Sequence, residues 1–253
     1  MAAVTAADNR PSVLSLRGIH KTFGGVVAIE DFSLDVHAGE VVALVGDNGA
    51  GKSTVVKIVA GVQPPTSGVI LIDGEEALLK DPGAAGGRGI QVVYQDLALA
   101  ERQSVYMNLF LGRELCVPWL GKLRRGRMIA ETEKLMGELD VRIPSATATV
   151  SDLSGGQRQG IAIARATHWA SKLVLMDEPT AALGVAETEK VERIILSLKA
   201  RDLAIMIVSH NLDQVFRLAD RICVLRRGRQ IGVRDSRAVT RNEIVSMITG
   251  LAN

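Results

Sequence analysis

Gly46-Asp47-Asn48-Gly49-Ala50-Gly51-Lys52-Ser53-Thr54 sets three glycines, one lysine and two hydroxyls within nine residues. The run fits G-x-x-x-x-G-K-[ST], a loop that cradles phosphates. Its glycines let successive N–H groups turn inward on an anion. A helix starting behind it adds unpaired N–H groups and a positive dipole end. Lys52 supplies a point charge for outer phosphates, and Ser53 a hydroxyl for a magnesium ion. Asp177-Glu178 follow the apolar run Leu173-Val174-Leu175-Met176. A buried strand explains the apolar residues but not two adjacent acids at its end. In parallel α/β sheets ligands bind at strand C-terminal ends. There Asp177 can hold magnesium, directly or through water, and Glu178 can polarise a water aimed at a terminal phosphate.

Three single residues gain meaning from position. His210 ends the apolar run Leu203–Val208 just as Asp177 ends its own, so a hydrogen bond to the terminal phosphate outweighs capping or packing. Gln95 follows Ile90–Tyr94 and is either a surface residue or an amide for the metal or the attacking water. Phe23 is either an ordinary buried aromatic or a platform for a nucleotide base. Ser154-Gly155-Gly156-Gln157 carries an S-x-x-Q capping box at a helix start. Two glycines directly after a cap disfavour helix. They suit a second site where an anion approaches bare backbone N–H groups.

These residues need a sheet and helices to hold them. Val41–Val45 reads as the strand before the phosphate loop, and Val55–Ala60 as the helix after it, ended by Gly61. Alternation predicts strands over Val13–Ile19 and Phe32–Val36, with a turn at Thr22–Gly25. Val69–Ile72 and Ile90–Tyr94 are further strands, and glycine-rich residues 82–89 are predicted as a loop. From Asp96 the pattern turns helical, with one helix through Val105, Asn108, Leu109 and Gly112. A longer one carries Met128, Leu135, Met136 and Leu139 on a stripe. Between them Lys122–Arg127 is a basic turn, solvated or touching acidic lipid headgroups. Residues 1–11 read as a frayed tail and 12–253 as one domain, with a helical subdomain over about 96–165 inserted in an α/β core. A hairpin across Arg227-Gly228 and a helix from about Asn242 to Ile248 complete the chain.

Bulk properties agree. The 253 residues are 47% hydrophobic and 23% charged, enough for a sizeable core. A net charge of +2 and 3% aromatic residues argue against nucleic acid as a partner. The two cysteines, Cys116 and Cys223, lack metal-ligand spacing and point to a reducing compartment. No run is long enough to span a bilayer, so any membrane role needs a partner.

Together the phosphate loop, Leu153-Ser154-Gly155-Gly156-Gln157, Asp177-Glu178 and His210 resemble, in that order, the ATP-binding cassette family of transporter ATPases. The resemblance covers about residues 12–250. It implies a P-loop NTPase core with an antiparallel β subdomain and an inserted helical subdomain. It implies ATP and Mg2+ as ligands. Gly46–Thr54 then matches the Walker A motif, Phe23 the adenine-stacking aromatic and Gln95 the Q-loop. Ser154–Gln157 matches the signature, Asp177 the Walker B carboxylate, Glu178 the catalytic glutamate and His210 the switch histidine. The family usually has Asp after a Ser-Ala-Leu-like run, whereas Gly184 follows Ala181-Ala182-Leu183 here. That departure bears on communication between two cassettes. Tyr94–Leu99, Leu111–Glu114 and Pro179–Val185 resemble cassettes of bacterial simple-sugar importers, including single-cassette fructose-type members. The implied setting is a head-to-tail homodimer on transmembrane permease subunits at the cytoplasmic face of the inner membrane. A periplasmic sugar-binding protein would act indirectly. Rival readings are another transporter class or a non-transport cassette protein in translation or DNA repair.

Overall fold

The computed structural model describes residues 12–119, 121–181 and 183–251. The predicted tail over residues 1–11 lies outside them. Ten strands form one sheet: β1 (Ser12–Phe23), β2 (Val26–His37), β3 (Val41–Val45), β4 (Ser67–Ile72), β5 (Glu75–Glu76), β6 (Ile90–Val93), β7 (Leu173–Asp177), β8 (Ala204–Val208), β9 (Arg221–Arg226) and β10 (Arg229–Asp235). Their spatial order is β5-β4-β1-β2-β10-β9-β3-β8-β7-β6. From β9 to β6 neighbouring strands run parallel, while β5, β4, β1 and β2 pair antiparallel. The two halves join where Arg229 of β10 pairs with Glu30 of β2, by ladder and by a bidentate ion pair.

The apolar runs are buried because both sheet faces are covered. Alternate residues of each strand belong to different cores. Val42, Leu44, Leu175 and Met206 pack with the antiparallel strands and α1 (Lys52–Val59). Val41, Ala43, Val174, Ile205 and Ile207 pack with α5 (Gly155–Trp169), α6 (Val185–Lys199) and α7 (Leu212–Leu218). Because β8 lies between β3 and β7, the C-terminal ends of three neighbours share one edge. That edge carries the glycine loop, Asp177-Glu178 and Ser209-His210.

Several predicted elements differ. Residues 82–89 are not a loop: α2 (Pro82–Gly87) forms because Asp81 caps it, accepting from Ala84 N–H at 2.7 Å, and Pro82 starts it. β1 runs on to Phe23, and β2 begins at Val26, so only Gly24-Gly25 turns. Register shifts after Leu16 and Ile19, and a left-handed Asp31, break the alternation that marks a strand. α3 (Val105–Leu109) stops short of Gly112. α4 (Arg125–Glu138) buries Met128 and Met136, but Thr132 fills the stripe between them by donating to the Met128 carbonyl. Leu135 is only half-buried. A 3-10 turn at Val150–Asp152 leads into α5, which runs to Trp169. α8 (Arg241–Thr249) ends the described chain.

Candidate functional site

The glycine loop is forced into shape by what surrounds it. Gly46 has φ 154°, and a side chain there would meet the Leu225 carbonyl oxygen at 2.2 Å. Gly51 has φ 106°, and its missing side chain makes room for Ile29 and the Ala28 carbonyl. The loop is thereby wedged between β9 and β2 and leads straight into α1. Lys52 folds back over it, donating to the carbonyls of Gly46 at 2.6 Å and Asp47 at 2.9 Å. Burial lowers the Lys52 pKa, and the charges of Glu178, Asp47 and Asp177 oppose that shift. Asp47, Asn48, Gly49 and Ser53 are exposed, Thr54 is half-buried and Ala50 is buried.

Asp177 and Glu178 lie within electrostatic reach of Lys52. Burial, then the adjacent Glu178 charge, raises the Asp177 pKa, while Lys52 and Lys57 pull it down. Glu178 sits at φ 51°, an uncommon conformation for a non-glycine residue, and its N–H donates to the Val208 carbonyl at 2.9 Å. His210 Nδ1 lies 2.8 Å from Glu178 Oε1. The histidine side chain is 71% exposed and the glutamate 15%, so a solvent-facing ring covers a sheltered carboxylate. Sequence reasoning missed the scaffold behind this pair. Ser209 donates to Gln214 Oε1, Gln214 Nε2 donates to Thr180, and Asn211 caps α7. The chain segments after β7 and after β8 are thus tied together.

Gln95 is exposed beyond β6. The loop after it holds Leu97 at φ 60° and Ala98 at φ 45°. Arg165 of α5 pins it by donating to both carbonyls, Leu97 O at 2.9 Å and Ala98 O at 2.7 Å. An arginine directly after the small apolar run Ala162-Ile163-Ala164 was a signal of a half-buried charge with partners. Phe23 is not a buried aromatic: it is 49% exposed at the end of β1, with the Lys21 ammonium 5.2 Å from its ring centre.

At the start of α5 the capping box forms in both directions: Ser154 N–H donates to Gln157 Oε1 at 2.9 Å, and Gln157 N–H to Ser154 Oγ at 3.3 Å. Internal packing accounts for Gly156, since a side chain there would meet Glu187 Cγ at 2.5 Å. Gly155 has nothing among the described residues within 4 Å of its missing side chain and is the open one. The flexible end of the same glutamate reaches Gly184, where an added side chain would meet Glu187 Oε2 at 2.8 Å. An aspartate there would face a carboxylate. Ser154, Gly156, Gln157 and Glu187 line a cleft that contains no residue of the glycine loop. The structure therefore gathers Lys52, Asp177, Glu178 and His210, and leaves the α5 start apart from them.

The ABC transporter family matches residues 29–181, well over half of the chain. The chain belongs to the ABC transporter family. Over 240 residues the cassette is 42% identical to the xylose/arabinose import ATP-binding protein XylG of Sulfolobus acidocaldarius, covering 95% of each chain. It is 41% identical to the fructose import ATP-binding protein FrcA of Rhizobium meliloti, covering 94% of each. In fold it is similar to the ATP-binding cassette MJ0796, solved as a dimer bound to ADP and Pi, with TM-score 0.75, 24% identity, and 89% and 100% coverage. As a member of this family the cassette binds ATP and is an ATPase coupled to transport.

The electrostatics of Asp177 give one expectation. Its pKa is raised in the folded chain, so its ionised form costs stability once pH rises through the folded pKa. Asp177→Asn should raise the urea midpoint at pH 7, and the gain should vanish below the ordinary aspartate value of 3.8. ATP hydrolysis should fall in the same variant. A midpoint unchanged at pH 7 would contradict the raised pKa. A second expectation concerns Arg165→Met, which keeps the stem and removes the donors. Amide exchange over residues 95–99 should quicken about ten- to a hundredfold, the worth of a charged hydrogen bond. Unchanged exchange would mean that the loop holds its own strain.

Proposed function

We propose that this cassette is the ATP-hydrolysing subunit of a simple-sugar importer, acting as a head-to-tail pair. The observation that carries the pairing is the split site. Lys52, Asp177, Glu178 and His210 converge, whereas the exposed α5 start of the same chain lies in another cleft. Two copies arranged head to tail put the terminal phosphate of ATP between the loop of one and Ser154-Gly155-Gly156 of the other. A cassette of similar fold was solved as a dimer, which supports pairing.

In this reading the amides of Gly46–Thr54 and the Lys52 ammonium hold the phosphates, and Phe23 offers a ring face to the base. Glu178 takes a proton from a water whose oxygen attacks the terminal phosphorus, and the bond to the ADP oxygen breaks. His210 positions Glu178 through the bond already formed and leaves Nε2 for the phosphate. Magnesium suits the residues present. It takes oxygen ligands and keeps substrate phosphates and water in its shell. Ser53 offers an exposed hydroxyl, and the Asp177 carboxylate accepts no hydrogen bond among the described residues. Gln95 offers an exposed amide. Bound there, the ion would neutralise charge developing on the phosphates.

Import of a simple sugar is supported by the names of the two relatives, at 42% and 41% identity. No helix among the described residues is long and apolar enough to cross a membrane. In this reading a transmembrane permease anchors the pair at the cytoplasmic face, and a periplasmic sugar-binding protein delivers solute to that permease. The helical segment over about 96–165, hinged at Gln95, passes closure of the pair to the permease.

Gly155→Asp tests the pairing. Nothing among the described residues lies near that position, so the variant should fold and bind ATP as a monomer. Hydrolysis should drop by about 10²-fold or more, since a carboxylate would replace a stabilising contact at the partner's phosphate. Normal turnover would reduce the stretch to a helix cap.

A further inference from the structure

The basic segment singled out in the sequence is not absorbed by the ATPase site. Cys116 and Leu123 form an antiparallel bridge, Val117 N–H donates to the Lys122 carbonyl at 2.8 Å, and Arg124 N–H to the Leu115 carbonyl at 2.7 Å. A small hairpin results, with Pro118, Trp119 and Gly121 toward its tip. Leu120 lies outside the described residues. Trp119 toward the tip is fully exposed, at 104% of its reference area, and packs on no neighbour among the described residues. Behind it Lys122, Arg124, Arg125 and Arg127 are all exposed. Only Arg127 has an acidic partner among the described residues, Glu131 at 2.7 Å. Arg124 and Arg125 also sit at the start of α4, whose first turn holds no acid and whose cap makes no side-chain bond. Cations at the positive end of a helix repel its dipole. Lone surface charges are commonplace, but a fully exposed indole ahead of four exposed cations on one braced hairpin joins an apolar ring to a basic cluster.

We propose that this hairpin is a membrane-contact point that binds the headgroups of an anionic lipid bilayer. Indole rings favour the interface, where an apolar body and a polar N–H are both accommodated. Lysines and arginines close to an acidic surface gain attraction that falls off within a Debye length. Charge complementarity thus selects the occupant: a surface both acidic and penetrable by a ring. The inference stands apart from the import reading, since vesicles lacking any permease test it.

The experiment is co-sedimentation of the full chain with phosphatidylglycerol-rich vesicles and with pure phosphatidylcholine vesicles. The chain should bind the acidic vesicles alone and be released by high salt. Arg124→Glu with Arg125→Glu should weaken binding about tenfold or more, and Trp119→Ser should also reduce it. Trp119→Phe should lose the blue shift of emission seen on acidic vesicles. Basal ATPase activity should survive in all these variants, which shows that they fold. Equal binding to neutral vesicles, or full binding by the charge-reversed variant, overturns the proposal. So does binding to single-stranded RNA that the same reversal abolishes, with no binding to vesicles.

Discussion

The close approach of the Gly46 backbone to the Leu225 carbonyl is the constraint from which the site follows. No side chain fits in that gap. The loop must therefore run between β9 and β2, and its N–H groups and α1 are aimed at one sheet edge. Once there, Lys52 is partly stripped of water and satisfied only by carbonyls of its own loop. A half-desolvated cation whose hydrogen bonds go only to carbonyls, with the carboxylates of Asp47, Asp177 and Glu178 in electrostatic reach, can take up an anion. The same edge receives Asp177, Glu178 and His210 because β8 separates β3 from β7 by a single strand.

Positive-φ residues are spread along the chain, and three of them border the site. Glu178, Leu97 and Ala98 all have positive φ without being glycine. Each is held by a specific bond: Val208 on Glu178, and Arg165 on the other two. Arg165 belongs to the helix whose N-terminus is the Ser154 capping box. One rigid element thus touches both the loop after Gln95 and the α5 start. Glu187 fills the space beside Gly156 and Gly184, so the first turn of α6 is joined to the same assembly.

Much of this was legible in the residues. Apolar runs closed by Asp177-Glu178 and by Ser209-His210 marked strand ends, because a sheet covered on both faces leaves no polar alternation inside it. The β9–β10 hairpin was marked by Arg227-Gly228. Residues 82–89 were misjudged because glycine content outweighed a proline preceded by a capping aspartate. The lengths of β1 and β2 were hidden by bulges. The partners of Arg165, Gln214 and Glu187 were not readable, since each acts on a segment distant in sequence. Gly156 looked like an open anion site and is partly a packing glycine.

The central claim is that the gathered half-site is completed by a second copy around ATP. Light scattering on Glu178→Gln, with and without ATP, tests it most directly. Glutamine keeps the shape and the contact with His210 but cannot take a proton, while Lys52, Ser53 and Asp177 still hold the nucleotide. The account predicts a monomer without ATP and a dimer with it, with hydrolysis lower by ~10²–10⁴. A monomer at high protein and ATP concentration would contradict it.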